Sequence, residues 1–293
     1  YAKVFLLKNN LKAIIILSEC GFTEQIIIKL AKKFSINIIL LQHGIILDNL
    51  SSYDYNKVIA GVLPIESNYF FSWGKISSEY MKRLDSLDTN IKLIGSSNLD
   101  RIQLKKSKKN NNLKNVLLLT TGPRNQQSVG HHVNIWNEYE NTIRQIYYLV
   151  SKNNLNLIIK RHPDIAENDF SSELYSDLSK IKISKTDDLT KMIIDSDIVL
   201  SLGVSSAVLE SQILEKPVIS IDAQYDVFGS TDYIPNSCPH VLIGELDNLL
   251  SKLVNNSESL NDIIQKGTNS LKNNISNIGN SSRILIDTLT KLQ

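Results

Sequence analysis

Short apolar runs alternate with helical patterns through the first third of the chain. The runs are rich in isoleucine, and a helical pattern between the first two places Ile26, Leu30 and Phe34 on one face. Such alternation is typical of βαβ units around a parallel sheet. It predicts strands at residues 13–17, 36–41, 57–60, 69–73 and 91–94.

The second half of the chain shows the same alternation more clearly. Strands as apolar as these are buried on both faces of a sheet, which requires covering helices and hence a doubly wound layer. The fold class that we expect is therefore α/β, with two Rossmann-like doubly wound domains. The pattern predicts strands at 116–122, 156–163, 181–184, 197–203 and 217–222, and a helix over about 134–150.

A polar run without apolar anchors, KKSKKNNNLK at residues 105–114, separates the two halves. We place the domain boundary there, with an N-terminal domain at residues 1–104, a linker at 105–114 and a C-terminal domain at 115–293. The simpler interpretation is that the basic cluster of this run belongs to a solvated linker. Docking to an anionic membrane surface, and hence peripheral membrane association, is the alternative.

Composition excludes several classes of protein. Of 293 residues, 42% are hydrophobic and 21% charged, with 12 glycines and 6 prolines, which excludes disordered and collagen-like chains. The formal net charge of +2 gives no general attraction to nucleic acid, so no nucleic-acid partner is expected. Two cysteines cannot form a disulfide framework, which fits a reducing, cytoplasmic compartment. No apolar run is long enough to span a bilayer. Because the first residue is Tyr1, we expect a piece of a longer chain.

Two histidine-containing segments follow predicted strands. In open parallel sheets, ligands bind beyond the carboxyl ends of the strands, so the residues after each strand are candidates for a site. His43, in Gln42-His43-Gly44, has a side chain that can exchange a proton near pH 7. Arg161 and His162, in the segment KRHP at 160–163, supply donors that match a phosphate. A histidine in an ordinary turn and a solvated strand end are the respective structural alternatives.

Two further strand ends could bind an anion. Gly203 leads into Ser205 and Ser206 at a predicted helix start, where unpaired N–H groups and the positive dipole end favour negative charge. Glu210 lies one helical turn beyond Ser206 and could accept hydrogen bonds from ribose hydroxyls. Thr121 and Gly122 end another strand and could contact phosphate. Serine is also an ordinary N-cap, and threonine and glycine commonly close strands.

Other chemical motifs are weak or missing. Adjacent His131 and His132 lack the spacing of zinc ligands, so we expect no metal site. The dinucleotide fingerprint GxGxxG and the phosphate-binding P-loop do not occur, which disfavours hydride transfer and ATP hydrolysis.

Taken in this order, QHG at 42–44, KRHP at 160–163 and GVSSAVLE at 203–210 followed by EKPVISID resemble a family of enzymes. The chain is similar to bacterial glycosyltransferases of the GT-B type that build capsules and other surface polysaccharides. These include capsule Kdo transferases, polysialyltransferases and CDP-glycerol glycerophosphotransferases. FFSWG at 70–74 and IGSSNLDRI at 94–102 support the resemblance, although the latter segment lacks the family's proline and the N-terminal domain lacks its first strands.

The resemblance implies two domains facing a cleft. It also implies a metal-independent transfer of sugar from a CMP-, CDP- or UDP-linked donor. The acceptor would be a glycan or a glycolipid at the inner face of the membrane. His162 and Arg161 would contact the donor phosphate. His43 would serve as general base or orient the acceptor, and Glu19, before Cys20-Gly21, is the competing base. The remaining implied donor-site residues are Ser205, Ser206, Glu210, Thr121 and Gly122.

Three alternatives to a glycosyltransferase remain open at this point. The chain could transfer polyol phosphate from CDP-glycerol, could be a UDP-sugar 2-epimerase-like enzyme, or could be a binding module without catalysis.

Overall fold

The structure is a computed structural model that describes residues 11–48, 56–57, 60–84, 89–102, 113–122, 132–163, 169–222, 234 and 236–292. The chain divides into two compact units. The first contains residues 1–104 together with 272–293, and the second contains residues 105–271. The sequence pattern predicts residues 272–293 as part of the C-terminal domain, whereas in the structure they pack with the first unit.

The first unit holds a parallel sheet of four described strands in the order β1-β2-β3-β4. Its strands are β1 (Ala13–Ile16), β2 (Asn37–Leu41), β3 (Tyr69–Ser72) and β4 (Asn90–Leu93). Its helices are α1 (Phe22–Lys33), α2 (Lys75–Leu84) and the short α3 (Ser97–Asp100). The strand predicted at 57–60 is not seen: Lys57 is helical, Ala60 lies in a bend, and residues 58 and 59 lie outside the described part.

Alternate side chains of this sheet enter two separate cores. Ile38, Leu40 and Phe70 pack with the buried residues of α1 and α2 on one face. Ile39 and Phe71 lie on the other face. That second face is covered by the last helix of the chain, α10 (Ser281–Lys291), through Ile284, Leu285 and Leu289 and the following Leu292. A sheet with apolar residues on both faces needs cover on both, which is why the C-terminal segment packs with the first unit.

The second unit holds a six-stranded parallel sheet in the order β10-β9-β8-β5-β6-β7. The strands are β5 (Asn115–Thr120), β6 (Asn156–Lys160), β7 (Lys182–Ser184), β8 (Ile198–Leu202), β9 (Val218–Asp222) and β10 (His240–Leu242). The edge strand β10 was not predicted, because its three residues give no alternating pattern long enough to read.

Helices cover this sheet on both faces. The helix α4 (His132–Lys152) buries Tyr139, Ile143 and Ile146 against strand residues such as Val116 and Leu118. The remaining helices are α5 (Ser172–Asp177), α6 (Leu189–Asp195), α7 (Ser206–Ile213), α8 (Leu246–Asn255) and α9 (Ser257–Asn274), with a 3₁₀ turn at Ile243–Glu245. None of the helices in the described part of the chain is long and apolar enough to cross a membrane.

Candidate functional site

The six-stranded sheet has a topological switch point between β5 and β8. From β5 the chain continues outward through β6 and β7, then returns to β8 on the other side of β5 and continues outward through β9 and β10. The connections after β5 and β8 therefore diverge and leave a crevice at their carboxyl ends, which is where open α/β sheets bind ligands. The predicted segments Thr121-Gly122 and Gly203–Ser206 follow these two strands.

Glycine conformation and short hydrogen bonds shape this crevice. Gly122 and Gly203 have φ values of +68° and +94°, in the region that side-chain-bearing residues rarely occupy. The Ser201 hydroxyl donates to the Gly203 carbonyl over 2.7 Å, which fixes the turn after β8. The Thr121 hydroxyl donates to the Leu202 carbonyl at 3.3 Å, which connects the ends of β5 and β8.

The helix α7 begins directly at this turn. Ser205 is its N-cap, and the Ser205 hydroxyl oxygen accepts from the Ala207 N–H at 3.3 Å. Ser206 and Glu210 are half-buried on the first two turns of the helix. The amino end of a helix carries a partial positive charge, so this turn is a suitable place for a phosphate or a carboxylate.

Thr120, the last residue of β5, is a polar group without a visible role in the fold. Its side chain is 3% exposed, and its hydroxyl oxygen has no hydrogen-bond partner among the described residues. Buried hydroxyls are normally hydrogen-bonded, so an unpartnered one beside a ligand crevice suggests a missing partner. The sequence pattern indicated Thr121 and Gly122 in this segment; the signal for Thr120 is its position at the end of the central strand.

The KRHP segment lies at the same edge of the sheet. In the strand register, Leu119 of β5 pairs with Lys160 of β6 and with Ser201 of β8. Lys160 and Ser201 are therefore two strand spacings apart, about 10 Å, with β5 between them, and His162 and Gly203 each follow two residues later. The structure therefore brings the KRHP corner and the serine-bearing helix start to one edge of one sheet.

Arg161 and His162 differ in their surroundings. The His162 side chain is exposed, whereas Arg161 is 3% exposed. The Arg161 guanidinium donates to Asp169 at 2.5 Å and to the Tyr175 hydroxyl at 3.1 Å, and lies over the Phe170 ring at 4.6 Å. The guanidinium also holds the pKa of Asp169 below its ordinary value. These contacts connect Arg161 to residues 169–175 of its own unit.

In the first unit, His43 follows β2 directly and its side chain is exposed. The preceding Gln42 is buried, and its side-chain amide bonds to the backbone of Gly44 and Trp73. At the level of sequence, Gln42 was only part of the QHG segment and had no role of its own. The signal for Gln42 is that a polar residue directly follows four apolar strand residues, Ile38 to Leu41.

Glu19 follows the adjacent strand β1 and is completely buried. One carboxylate oxygen accepts from the Glu66 N–H at 2.7 Å, and the other accepts from the Ser67 N–H at 3.0 Å and from the Ser67 hydroxyl. Burial raises the pKa of Glu19 above its ordinary value, although these hydrogen bonds oppose the shift. The observed hydrogen bonds of the Glu19 carboxylate are all with residues 66 and 67. The Glu19 N–H donates to the Gly61 carbonyl, and the Glu19 carbonyl accepts from the Gln25 amide.

A third histidine, His240, was not predicted as part of a site because β10 was not predicted. Its Nδ1 lies 3.1 Å from the Ser220 hydroxyl, and its Nε2 lies 3.7 Å from an Asp222 carboxylate oxygen. Burial lowers the pKa of His240, and the Asp222 carboxylate opposes that shift.

The remaining sequence-based candidates concern metals. His131 lies outside the described residues, and the side chain of His132 is not described. Among the side chains that are described, no group of three or more histidine, cysteine, aspartate and glutamate residues is close enough to hold a metal ion.

No family model and no curated protein sequence matches this chain. Solved structures match it in fold. The S. aureus MnaA protein, solved with UDP, is 12% identical, with a TM-score of 0.66 over 100% of this chain and 80% of MnaA. The UDP-GlcNAc 2-epimerase of Neisseria meningitidis bound to UDP-GlcNAc is 15% identical, with a TM-score of 0.59 over 99% of this chain and 78% of that protein.

A transferase matches as well. The pneumococcal O-GlcNAc transferase GtfA, in complex with UDP and GlcNAc, is 13% identical, with a TM-score of 0.55 over 99% of this chain and 58% of GtfA. At such identities the likeness shows the fold. The predicted fold class, α/β with two Rossmann-like units, is confirmed by the two parallel sheets and by these matches.

Proposed function

We propose that this chain is an enzyme that binds a UDP-sugar at the switch point of its second unit and transfers the sugar to an acceptor hydroxyl. The supporting observation is the crevice between β5 and β8. Gly203 and the amino end of α7 follow β8 there, and Thr120, whose buried hydroxyl has no hydrogen-bond partner among the described residues, ends β5. In the proposed complex, the N–H groups at the start of α7 hold the diphosphate, and Ser205, Ser206, Thr121 and Gly122 surround it.

The chemistry of sugar transfer suits such a site. When the bond between the sugar and the diphosphate breaks, negative charge develops on the leaving phosphate. Fixed donors and a helix dipole placed where that charge appears lower the barrier without having to reorganise during the reaction. A glycine with φ of +94° at position 203 lets the backbone approach the ligand closely, because there is no Cβ in the way.

UDP is the donor nucleotide that we favour over CMP and CDP. The solved neighbours described above were crystallised with UDP, UDP-GlcNAc, or UDP and GlcNAc. Their fold covers both units of this chain. In the proposed complex, Glu210 accepts hydrogen bonds from the ribose hydroxyls of UDP.

The two histidines and Arg161 take different roles in this proposal. His162, exposed at the end of β6, donates to the leaving phosphate. Arg161 supports it by holding residues 169–175, because its guanidinium is already engaged by Asp169 and Tyr175. His43, on the first unit, is the base that accepts the proton of the acceptor hydroxyl. We prefer it to Glu19, whose two carboxylate oxygens both bond to residues 66 and 67.

A UDP-sugar 2-epimerase is the second candidate. The Neisseria meningitidis 2-epimerase matches this chain with a higher TM-score than the pneumococcal transferase does, and over more of its own length. An epimerase would convert UDP-GlcNAc alone into its isomer, whereas a transferase needs an acceptor. The products therefore separate the two candidates.

The wider setting of the proposed transfer rests on the ordered motifs alone. We propose a surface or capsular polysaccharide as the product, a glycan or glycolipid as the acceptor, and the inner face of the membrane as the place. Polyol-phosphate transfer from CDP-glycerol would add a glycerophosphate mass to the acceptor instead of a sugar mass.

The first test is a calorimetric titration of the folded protein with UDP, CDP and CMP. We expect UDP to bind most tightly. The variant Gly203→Ala should weaken UDP binding about ten-fold, because the strain of about 1–3 kcal/mol that an alanine meets at that φ is relieved when the turn leaves the geometry that faces the ligand. Gly244→Ala in the same unit is the matched control, since a Cβ there meets no atom within 4 Å.

The second test is mass analysis of the products formed from UDP-GlcNAc with and without oligosaccharide acceptors. His162→Ala should lower the rate of transfer by about 10²- to 10³-fold if His162 stabilises the leaving phosphate. If the folded protein binds none of the three nucleotides, the proposal is wrong and the chain is a module without this catalysis.

A further inference from the structure

The buried side chain of Gln42 connects three separate segments of the first unit. Its Nε2 donates to the Gly44 carbonyl at 2.8 Å and to the Ser77 hydroxyl at 3.0 Å, and its Oε1 accepts from the Trp73 N–H at 2.8 Å. Ser77 lies on α2, and Trp73 lies in the turn between β3 and α2. The Gln42 amide therefore ties the loop after β2 to the next strand and helix.

The orientation of this amide is fixed by its partners. A backbone N–H can only donate, so the Trp73 N–H must face the Gln42 oxygen. A carbonyl can only accept, so Gly44 must face the nitrogen. Both N–H bonds of the amide are used, and no other rotamer of the amide group satisfies these two partners at once.

The Trp73 peptide is itself held from the opposite side. The Ser276 N–H donates to the Trp73 carbonyl at 2.7 Å. A Cβ on Gly74 would lie 2.4 Å from backbone atoms of Asn274, so the turn packs closely against the C-terminal segment of the chain. The anchor to which Gln42 is bonded thus has little freedom to move.

We propose that Gln42 is a positioning residue that fixes the backbone on both sides of His43. The backbone N–H of Gln42 donates to the Phe71 carbonyl at 3.0 Å, and its side chain holds the Gly44 carbonyl, so the residue before His43 and the residue after it are both restrained. The structure gives the exposed His43 ring no hydrogen bond to a described residue, so this backbone sets the point and the direction from which the His43 side chain leaves the chain. The inference rests on the proposed function insofar as His43 acts as a base.

The expected signature is a loss of turnover without a loss of donor binding. A base misplaced by about 1 Å costs up to about 100-fold in rate. The residues proposed to hold UDP belong to the second unit, so its affinity should not change. Because Gln42 acts through His43, removing Gln42 should have no further effect once His43 is absent.

The experiment uses Gln42→Met, which keeps the length of the side chain and removes all three hydrogen bonds. We expect kcat for transfer from UDP-GlcNAc to fall about 10- to 100-fold, KM for the donor to stay within about two-fold, and the double variant with His43→Ala to match His43→Ala alone. Gln25→Met is the matched control: the Gln25 amide also bonds to a loop carbonyl, that of Glu19, in the same unit. It should retain the wild-type kcat.

A measurement that needs no turnover separates this inference from the proposed function. With ¹³C-labelled histidine, the His43 ring resonance, assigned by its loss in His43→Ala, should shift and broaden in Gln42→Met and not in Gln25→Met. If Gln42→Met does not fold, Gln42→Glu takes its place, since it keeps the acceptor for Trp73 and replaces the donor to Gly44 by an oxygen.

Each outcome decides one of the two proposals. An unmoved His43 resonance, or a loss of kcat that persists in full without His43, overturns the role of Gln42. If the wild-type protein neither binds nor turns over UDP-GlcNAc, the proposed function fails, and a shifted His43 resonance still supports the positioning of His43 by Gln42.

Discussion

Besides its apolar contacts with the first sheet, the C-terminal helix is bonded to the first unit by one carboxylate, that of Asp100. Asp100 Oδ1 accepts from the Gly279 N–H at 2.9 Å and from the Ser281 N–H at 3.1 Å. Its Oδ2 accepts from the Ser282 N–H and the Ser282 hydroxyl, both at 2.8 Å. The helix α10 has Asn280 at its own N-cap position, but the Asn280 side chain makes no capping hydrogen bond. Asp100 therefore caps α10 from a distant part of the sequence.

The size of the effect follows from these contacts. A capping side chain stabilises a helix by about 0.5–2 kcal/mol, and a carboxylate at the amino end also interacts favourably with the helix dipole. Asp100 satisfies two amide groups at the helix start and a third just before it, so we take the upper end of that range. Asp100→Ala should then destabilise the docked α10 by about 2 kcal/mol, which is about a 30-fold change in its opening equilibrium.

Hydrogen exchange of the peptide at residues 281–292, followed by mass spectrometry, measures this opening directly. In Asp100→Ala we expect faster exchange in α10, with less change in peptides from the second unit. Asp287→Ala is the control, because Asp287 is exposed on the same helix and makes no described ion pair. Its exchange should match the wild type.

Acid should act in the same way as the substitution. Burial alone would raise the pKa of Asp100, but the hydrogen bonds from Ser282 and Ser281 outweigh it and hold the pKa below its ordinary value. The stabilisation is therefore complete above pH of about 3.9, the ordinary pKa of aspartate, and is lost as the pH falls through the lower pKa of the folded state. Protection of α10 that is equal in Asp100→Ala and wild type at pH 7 would refute this reasoning.

Three further predictions concern buried charged groups. Glu19→Gln should flatten the pH dependence of the free energy of unfolding. Because the pKa of Glu19 is raised in the folded state, its protonation stabilises the wild-type fold fully below the ordinary pKa of about 4.3, and this stabilisation is lost as the pH rises through the folded pKa. An unchanged slope in Glu19→Gln contradicts the assignment. Arg161→Lys should lower the free energy of unfolding by about 1–2 kcal/mol in urea, because lysine lacks the planar guanidinium that lies over the Phe170 ring while it donates to Asp169 and Tyr175; an unchanged midpoint would count against this. Lys216→Met should lower the free energy of unfolding by about 1–3 kcal/mol in the same assay. The Lys216 ammonium donates to the Ile194 and Ser196 carbonyls at 2.8 and 2.5 Å, and methionine leaves both carbonyls without this donor. An unchanged free energy of unfolding would show that these carbonyls find other partners.

The order of strands and helices could be predicted from the sequence in large part. Runs such as those in β2 and β8 are apolar at nearly every position, which only a strand covered on both faces tolerates. At the described ends of the segment predicted as a strand at 57–60, Lys57 is helical and Ala60 lies in a bend, and β10 was missed. Short segments are stabilised by their neighbours more than by their own pattern.

The candidate site was predictable only as a set of strand ends. Rules for open sheets indicate that Thr121, His162 and Gly203 belong at one edge, and the register of β5, β6 and β8 puts them there. The sequence could not show that Arg161 is engaged by Asp169 or that Glu19 is enclosed by residues 66 and 67, since both depend on loops that meet only in the folded chain.

By itself, the sequence determined the fold class, because the period of its apolar positions is a local property. Only the tertiary structure decided which helix covers the second face of the first sheet, how Asp100 caps α10 and how Gln42 reaches Trp73. The two hydrogen-bonded pairs join residues that are 31 and 182 positions apart. Such pairs leave no periodic trace in the sequence, since burial and hydrogen bonding between distant segments are properties of the folded chain as a whole.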